Sequence, residues 1–476
     1  YAPAWKNAQF SEGRLDWAQI QTMNRWLLVA GPLASLALLY VLLGLGWTQD
    51  ASITAAVTLL CALWWIFEPL PIPFTSLIPF AAFPLLGVLT PAEVGQSFGS
   101  PLILLLMGGF MLSTAMADSG AHRRIALYMV NLFGGGSARG LVLGFMAAAA
   151  ALSMWISNTA TALMLLPVAL AVLEQTDRRL DVPLLLGLAY ASSIGGLGTP
   201  IGTPPNLIFM QVHLDRFGSA PSFLEWMSWG VPLVLLLVPL AGLWLTRGIR
   251  LERPVELPRT GAWRPFETRV LTLFGLTALL WITREAPFGG WSAWLGLPGA
   301  NDASVALLAV VLMAALPNGE GGRLLRWEAA RAIPWGVLLL FGGGIAIANA
   351  FVQSGLADNI AGELQAFLHL PPWALVLCIC LAVTFMTEVT SNTATASLLM
   401  PLLAATAASS HIDPMLLMVP AALSVSCAFM LPVATAPNAI VFGSGKVRIK
   451  DMARAGFVLN LIGAVVITVV CLIAFG

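Results

Sequence analysis

The chain has 476 residues, of which 58% are hydrophobic and only 10% charged; soluble globular chains carry roughly 25% charged residues, so a water-facing surface of the usual kind is excluded. Its 23 basic and 23 acidic residues cancel, and nothing points to a nucleic-acid partner or a polybasic lipid anchor. The apolar segments run to about 20 residues, where strands of a membrane barrel would alternate polar and apolar over about ten; the class left is an all-α polytopic membrane protein, in contact with lipid.

In chain order, residues 1–25 are polar and read as a cytoplasmic N-terminal segment without a cleavable signal. Ordinary spans are expected near 26–46, 51–69, 74–90, 101–117, 228–246, 270–283, 303–317, 334–351 and 454–475. Between them lie two longer apolar regions, 141–217 and 373–445, interrupted by Ser, Asn, Thr, Gly and Pro clusters. Non-helical backbone survives at membrane depth only where it is buried in protein or lines a cavity. The expectation is therefore re-entrant hairpins at 141–174 and 373–408 and broken helices at 184–217 and 414–445, for about 11 transmembrane helices plus two hairpins. The five cysteines sit in apolar stretches and read as buried thiols.

The two interrupted regions resemble each other. Ser157-Asn158-Thr159-Ala160-Thr161 recurs as Ser391-Asn392-Thr393-Ala394-Thr395, and Leu104 to Gly109 corresponds to Leu338 to Gly343, both 234 residues apart. Thr203-Pro204-Pro205-Asn206 matches Thr435-Ala436-Pro437-Asn438 at a spacing of 232. Two halves in tandem, about 51–246 and 270–475, follow one extra N-terminal helix.

Basic residues orient them. With 1–25 inside, each span crossing once and each hairpin returning to its own side, 21 of the 23 basic residues fall in cytoplasmic loops. Only Arg216 and Arg284 fall outside, where Asp50, Glu93, Glu285, Asp302, Asp358, Glu363 and Asp413 also lie, and the C-terminus ends outside. The first hairpin then enters from the cytoplasm and the second from the other side, which makes the halves inverted repeats.

An inverted repeat with a broken element in each half is the architecture of secondary transporters, whose site forms where the interruptions meet. Ser, Thr and Asn can coordinate Na⁺ or hydrogen-bond a carboxylate without carrying charge, unwound carbonyls can ligate a hard cation, and helix N-termini favour an anion. Apart from Arg454 at the edge of the last, the apolar spans contain no Lys or Arg. One anion flanked by two cations is the cargo this pair of loops suits. A lone Ser-Asn-Thr is ordinarily an interhelical hydrogen-bonding element; two identical copies in equivalent places of inverted halves point to a site. Glu388, three residues before the second copy, has Met154 as its counterpart, and a hydrogen-bonding role weighs as much there as a coupling role. The paired glycines Gly108-Gly109 and Gly342-Gly343 read as helix packing. His122, His213, His369 and His411 fall in loops or near span ends, and no P-loop is present, so an intramembrane hydrolase or an ATP-driven pump is disfavoured and no enzyme is expected. A channel also needs polar loops at the midplane, but its usual rotational symmetry does not call for an inverted repeat.

The Ser-Asn-Thr pair, Gly202-Thr203-Pro204-Pro205-Asn206 and the stretch Met430 to Asn438 resemble the divalent anion/sodium symporter family, the INDY-type dicarboxylate transporters, over nearly the whole chain after residue 25. The resemblance implies a homodimer in a bacterial inner membrane in which a transport domain moves like an elevator against a scaffold. The scaffold would comprise 26–140 and 270–372; the transport domain would comprise 141–246 and 373–476, with 247–269 a cytoplasmic linker and 228–246 and 454–475 helices of the moving part. It also implies co-transported Na⁺, held in one site by Ser153, Ser157, Asn158 and Gly202 and in another by Thr387, Thr390, Asn392 and Ala434. Substrate carboxylates map onto Asn158, Thr159, Thr203, Ser391, Asn392, Thr393 and Thr435. The function implied is Na⁺-coupled symport of C4 dicarboxylates such as succinate, malate or fumarate, with a Na⁺-independent dicarboxylate exchanger, a citrate or sulfate carrier, and an anion channel as the alternatives.

Overall fold

The computed structural model describes residues 17–133, 137–176, 178–249, 261–286, 288–356, 359, 370–410 and 412–476. Residues 1–16, the centre of the 247–269 linker with Arg250, Arg253 and Arg259, and Asp358, Glu363, His369 and His411 lie outside the described residues. Everything regular that is described is helical.

The first half opens with α1 (Trp17–Gly44) packed along α2 (Gln49–Phe67). The Thr48 side chain accepts from the Ala51 N–H and so starts α2. A single span near 74–90 does not form. Prolines at 71, 73, 79 and 84 cannot donate to a helix ladder, and the segment divides into α3 (Ile72–Thr75) and α4 (Ile78–Leu85). Ser76 at the break donates to Ile72 O at 2.7 Å and accepts from the Trp65 indole at 3.2 Å, which fastens it to α2. Next come α5 (Pro91–Phe98), entered through a Thr90/Glu93 capping box, α6 (Pro101–Ser119) and α7 (Ala121–Phe133). α7 occupies what the sequence reads as a cytoplasmic loop; His122, Ala126 and Val130 recur every four residues on its buried face. α8 (Ala138–Ser153), α9 (Asn158–Leu173), α10 (Asp181–Gly195), α11 (Pro204–Phe217) and α12 (Phe223–Leu245) complete the half.

The second half contains α13 (Pro265–Ile282), α14 (Gly290–Trp294), α15 (Asp302–Ala315), α16 (Trp327–Ala330) and α17 (Trp335–Gln353), then α18 (Pro372–Thr387), α19 (Asn392–Ser410), α20 (Pro414–Ser424), α21 (Ala436–Phe442) and α22 (Ile449–Phe475). Among the described residues, eight helices are long and apolar enough to cross a membrane, including α1, α2, α12, α17 and α22. The chain is an integral membrane protein.

The paired glycines are close-approach points. A Cβ on Gly108 would lie 2.7 Å from Ala306 Cβ of α15, and one on Gly343 would lie 2.7 Å from Ser76 O. Of the cysteines, Cys378 is exposed and the other four are buried.

The halves interlock. α10 packs on α8 and α9, and α20 packs on α18 and α19 in the same way. Each hairpin's second helix also crosses to the other half: α9 packs on α21, and α19 packs on α11. Four short segments from opposite ends of the chain therefore meet at one centre.

Candidate functional site

The centre is built by two helix–turn–helix tips. α8 ends at Ser153 and α9 starts at Asn158; α18 ends at Thr387 and α19 starts at Asn392. In the first tip the Ser153 hydroxyl lies 2.5 Å from Asn158 Oδ1 and 2.6 Å from Ser192 O. In the second the Thr387 hydroxyl lies 2.6 Å from Asn392 Oδ1 and 2.9 Å from Val425 O. Each hydroxyl has one proton and faces two acceptors; in the second tip one oxygen–oxygen contact is left without a proton, and in the first the outcome depends on which way the Asn158 amide is turned. Gly202 O adds to the surplus in the first half: with the Asn158 amide turned over, its nitrogen would donate to Ser192 O at 3.1 Å, Gly202 O at 3.3 Å and Ser153 Oγ at 2.5 Å. One orientation of that amide satisfies the loop by itself. The other leaves four oxygens converging, which is the donor set of a hard monovalent or divalent cation.

The interruptions between helices are held by asparagines. Asn206 Nδ2 donates to Gly196 O at 2.9 Å and Thr199 O at 2.8 Å, spanning the unwound loop between α10 and α11. Asn438 Nδ2 donates to Ala428 O at 3.1 Å and Leu431 O at 3.0 Å, spanning the loop between α20 and α21. All three pairs of equivalent atoms are 232 residues apart, the spacing of the Thr-Pro-Pro-Asn and Thr-Ala-Pro-Asn motifs. Buried carbonyls need partners, and these amides supply them. The sequence pairs the two asparagines but assigns them no role; the signal was the Asn closing each motif.

A cavity of about 780 Å³ opens between the tips. Ser157, Asn158, Thr159, Gly202, Thr203, Thr390, Ser391, Asn392, Thr393, Ala434 and Thr435 all line it. Ser153 and Thr387 do not reach it; both side chains are fully buried behind the tips. Among the described residues, no Lys or Arg lines the cavity, and its one ionisable side chain is Glu68, which stands at the end of α2 in a left-handed conformation with φ 48°. The N-termini of α9, α11 and α19 converge on it, each with the positive end of its dipole; α9 and α19 also bring first-turn N–H groups, whereas α11 opens on Pro204-Pro205, which have none. Trp155 closes one wall, stacked on Phe223 with ring centroids 6.1 Å apart.

Behind the tips the halves differ. The buried Glu388 carboxyl accepts from the N–H groups of Phe429 at 2.7 Å, Met430 at 2.9 Å and Leu431 at 3.1 Å, and from Asn460 Nδ2 at 2.7 Å. It ties down the unwound segment that carries Ala434 and Thr435. In the first half that function falls to Thr199, whose hydroxyl donates to Met154 O, and to Trp226, whose indole donates to Leu197 O at 2.9 Å.

Comparison with known proteins places this arrangement. The profile described as citrate transporter (CitMHS) matches residues 62–422. The chain is 38% identical over 470 residues to a sodium-dependent dicarboxylate transporter, SdcS, of Staphylococcus saprophyticus, covering 93% of this chain and 90% of that one. It is also 38% identical to SdcS of Staphylococcus aureus over 470 residues, with 93% and 89% covered. Its fold is similar to the crystal structure of the Alcanivorax borkumensis YdaH transporter, with a TM-score of 0.59, 18% identity, and 84% of this chain and 90% of that chain covered.

Proposed function

The chain belongs to the family of the citrate and sodium-dependent dicarboxylate transporters, the divalent anion/sodium symporters, and from that premise we propose that it carries small C4 dicarboxylates such as succinate, malate or fumarate by symport with Na⁺. Membership makes it a transporter and not an enzyme. The observation that carries the rest is a polar cavity that, among the described residues, no basic side chain lines, with more oxygens than protons at the second tip and, in one orientation of the Asn158 amide, at the first.

Magnitudes decide the need for cations. Taking an isolated carboxylate out of water costs on the order of tens of kcal/mol in a low-dielectric interior. Each helix N-terminus returns roughly 1 kcal/mol, so the three that converge here cannot hold a dianion. Two Na⁺ ions would supply the missing charge: one beside Ser153, Ser157, Asn158 and Gly202, the other beside Thr387, Thr390, Asn392 and Ala434. The dianion would then bind between Asn158 and Asn392, with Thr159, Ser391, Thr393, Thr203 and Thr435 donating to its carboxylates. Binding of ion and anion is reciprocal, which couples uptake to the Na⁺ gradient.

The moving part in this reading is an elevator domain made of the hairpins α8–α9 and α18–α19, taken as re-entrant, the broken helices α10–α11 and α20–α21, and α12 and α22. The remaining helices form the scaffold and the homodimer contact in a bacterial inner membrane, with the N-terminus cytoplasmic and the C-terminus outside. The cavity reaches Glu68, Ala117 and Ala332 to Pro334, all at ends that the basic-residue count assigns to the cytoplasm, and this supports an inward-open state. At the other end Ser100 of the α6 cap donates to Gln211 of α11 at 2.5 Å, a contact that closes the outer route.

The test is uptake of labelled succinate into proteoliposomes under an inward Na⁺ gradient or choline, empty or preloaded with succinate. Concentrative uptake into empty vesicles, with Na⁺ only, is expected. Uptake confined to preloaded vesicles and indifferent to Na⁺ would identify an exchanger and withdraw the cation assignments. The citrate description of the matching profile favours citrate as the second substrate reading, which competition by citrate against succinate tests.

A further inference from the structure

Among the described residues, two non-glycine residues have positive φ, and one of them is Glu68, at φ 48° and ψ 48°. The left-handed region is unfavourable for a residue with a Cβ, and helices that end in it ordinarily end on Gly or Asn. Pro69 follows, and a residue before proline is pushed towards extended backbone. Sterics therefore favour glycine at this helix end, and the sequence has a glutamate. Strain held in place by its surroundings is a mark of functional positions.

The surroundings of the side chain say what the function is. Glu68 is exposed and lines the central cavity at the end of α2, together with Ala117 of α6 and Ala332 to Pro334. Among the described residues, no hydrogen bond or ion pair engages its carboxyl. Charges at a comparable helix end pair off: Arg284, just past α13, meets Glu285 and Asp302 at 2.6 Å each. An unpaired carboxylate at the mouth of a cavity with low-dielectric walls projects its field along that cavity.

We propose that Glu68 is a charge filter at the inner mouth: it draws Na⁺ into the inward-facing cavity and repels the dicarboxylate, so that released dianion rebinds weakly from the cytoplasm. This rests on the Na⁺-coupled, inward-open reading above and adds a residue that reading leaves without a role. Glu68 acts through its field, as a positioning residue. Coulomb energy scales with the product of the charges, so at one distance the repulsion of a dianion is twice the attraction of one Na⁺. In affinity, the factor for succinate is then the square of the factor for Na⁺, and the two run in opposite directions. A residue that only shaped the cavity has no reason to move them oppositely.

The experiment uses right-side-out membrane vesicles carrying the full chain, loaded with labelled succinate and NaCl at about pH 8, where Glu68 and succinate are both ionised. Initial efflux gives the internal KM for succinate and the internal half-saturating Na⁺; influx gives the external values. Glu68→Gln is expected to lower the internal succinate KM about fourfold and to raise the internal half-saturating Na⁺ about twofold, with both external values unchanged. Glu68→Gly, which frees the backbone, is expected to match Glu68→Gln, and Glu68→Asp, which keeps the charge, to match the wild type. The differences are expected to shrink in high choline chloride, which screens the field. Internal values in Glu68→Gln within error of the wild type overturn the proposal, as do shifts in the same direction or shifts that persist at high salt. Opposite shifts confined to the external values would overturn the inward-open reading and the inner placement of Glu68. A wild type without Na⁺-driven flux would overturn the sodium-coupled reading itself, and this proposal with it.

Discussion

The two tips carry the same five residues, Ser-Asn-Thr-Ala-Thr, yet the chain behind them is built differently. Behind the second tip, four N–H groups close on the Glu388 carboxyl, so the unwound segment from Phe429 to Leu431 is clamped as one body. Behind the first, the unwound loop is held by a threonine hydroxyl and an indole, and Gly196 packs so close to the Asn158 amide that a Cβ there would lie 2.9 Å from Oδ1. Spacing differs too. Three residues separate the helix-end carbonyl of Ser192 from the clamped carbonyl of Gly196, and two separate Val425 from Ala428. The two halves share the residues that line the cavity and differ in the supports behind them, so at the proposed site equal tips need not mean equal affinities.

The sharpest way to break the symmetry of the tips is to remove one ligand from each. At the proposed site, Asn158→Ala and Asn392→Ala would each lose contacts to an ion and to a carboxylate at roughly 1.5–3 kcal/mol apiece. Each is expected to lower Na⁺-driven succinate uptake at least about 100-fold while the protein still elutes as a folded species. Retained uptake in one of them would show that a single half suffices.

The supports are tested next. Glu388→Ala leaves four donors without an acceptor, at roughly 1–3 kcal/mol for each that cannot relax, and is expected to lower stability by at least about 3 kcal/mol. Met154→Ala at the counterpart position trims a half-buried side chain and is expected to cost about 1–2 kcal/mol. Thermal unfolding of the two variants side by side measures the difference, and equal shifts would contradict the unequal clamping. Asn206→Leu and Asn438→Leu each delete two hydrogen bonds and are expected to cost about 2 kcal/mol, equally in both halves; a large disparity would mean that one loop has another support. Smallest is Lys446→Ala. Lys446 bridges Asp181 at 3.1 Å between the end of α21 and the start of α10, with the lysine one-third exposed, and a partly screened pair of this kind is worth within about 1 kcal/mol in chemical denaturation.

The repeat, its spacing and the residues that face the cavity are legible in the sequence because they are local: a motif of five residues copied at 234 needs no tertiary knowledge. The supports are not. The clamping by Asn206 depends on the loop turning back until Gly196 O and Thr199 O share one amide, and nothing in a linear pattern states that closure. Glu388 stands out as an intramembrane acid, but its partners lie 41 to 72 residues away. The segment 74–90 misled for a different reason. Its hydropathy is that of a span, and only the density of prolines, together with Ser76 fastened to Trp65, explains why it divides into α3 and α4. Likewise α7 has the charges of a loop and the four-residue periodicity of a helix, and the periodicity prevailed.

The crossing of α9 onto α21 and of α19 onto α11 bears on how the protein is made. α9 is synthesised more than half a chain length before α21, the element it packs on. Until then a newly inserted first half holds unwound carbonyls and the polar tip at Asn158 without their final cover, in surroundings where uncovered backbone polar groups are costly. Assembly therefore ends with a late, long-range closing step, in which the second half supplies the cover that α8 to α11 lack when they are made.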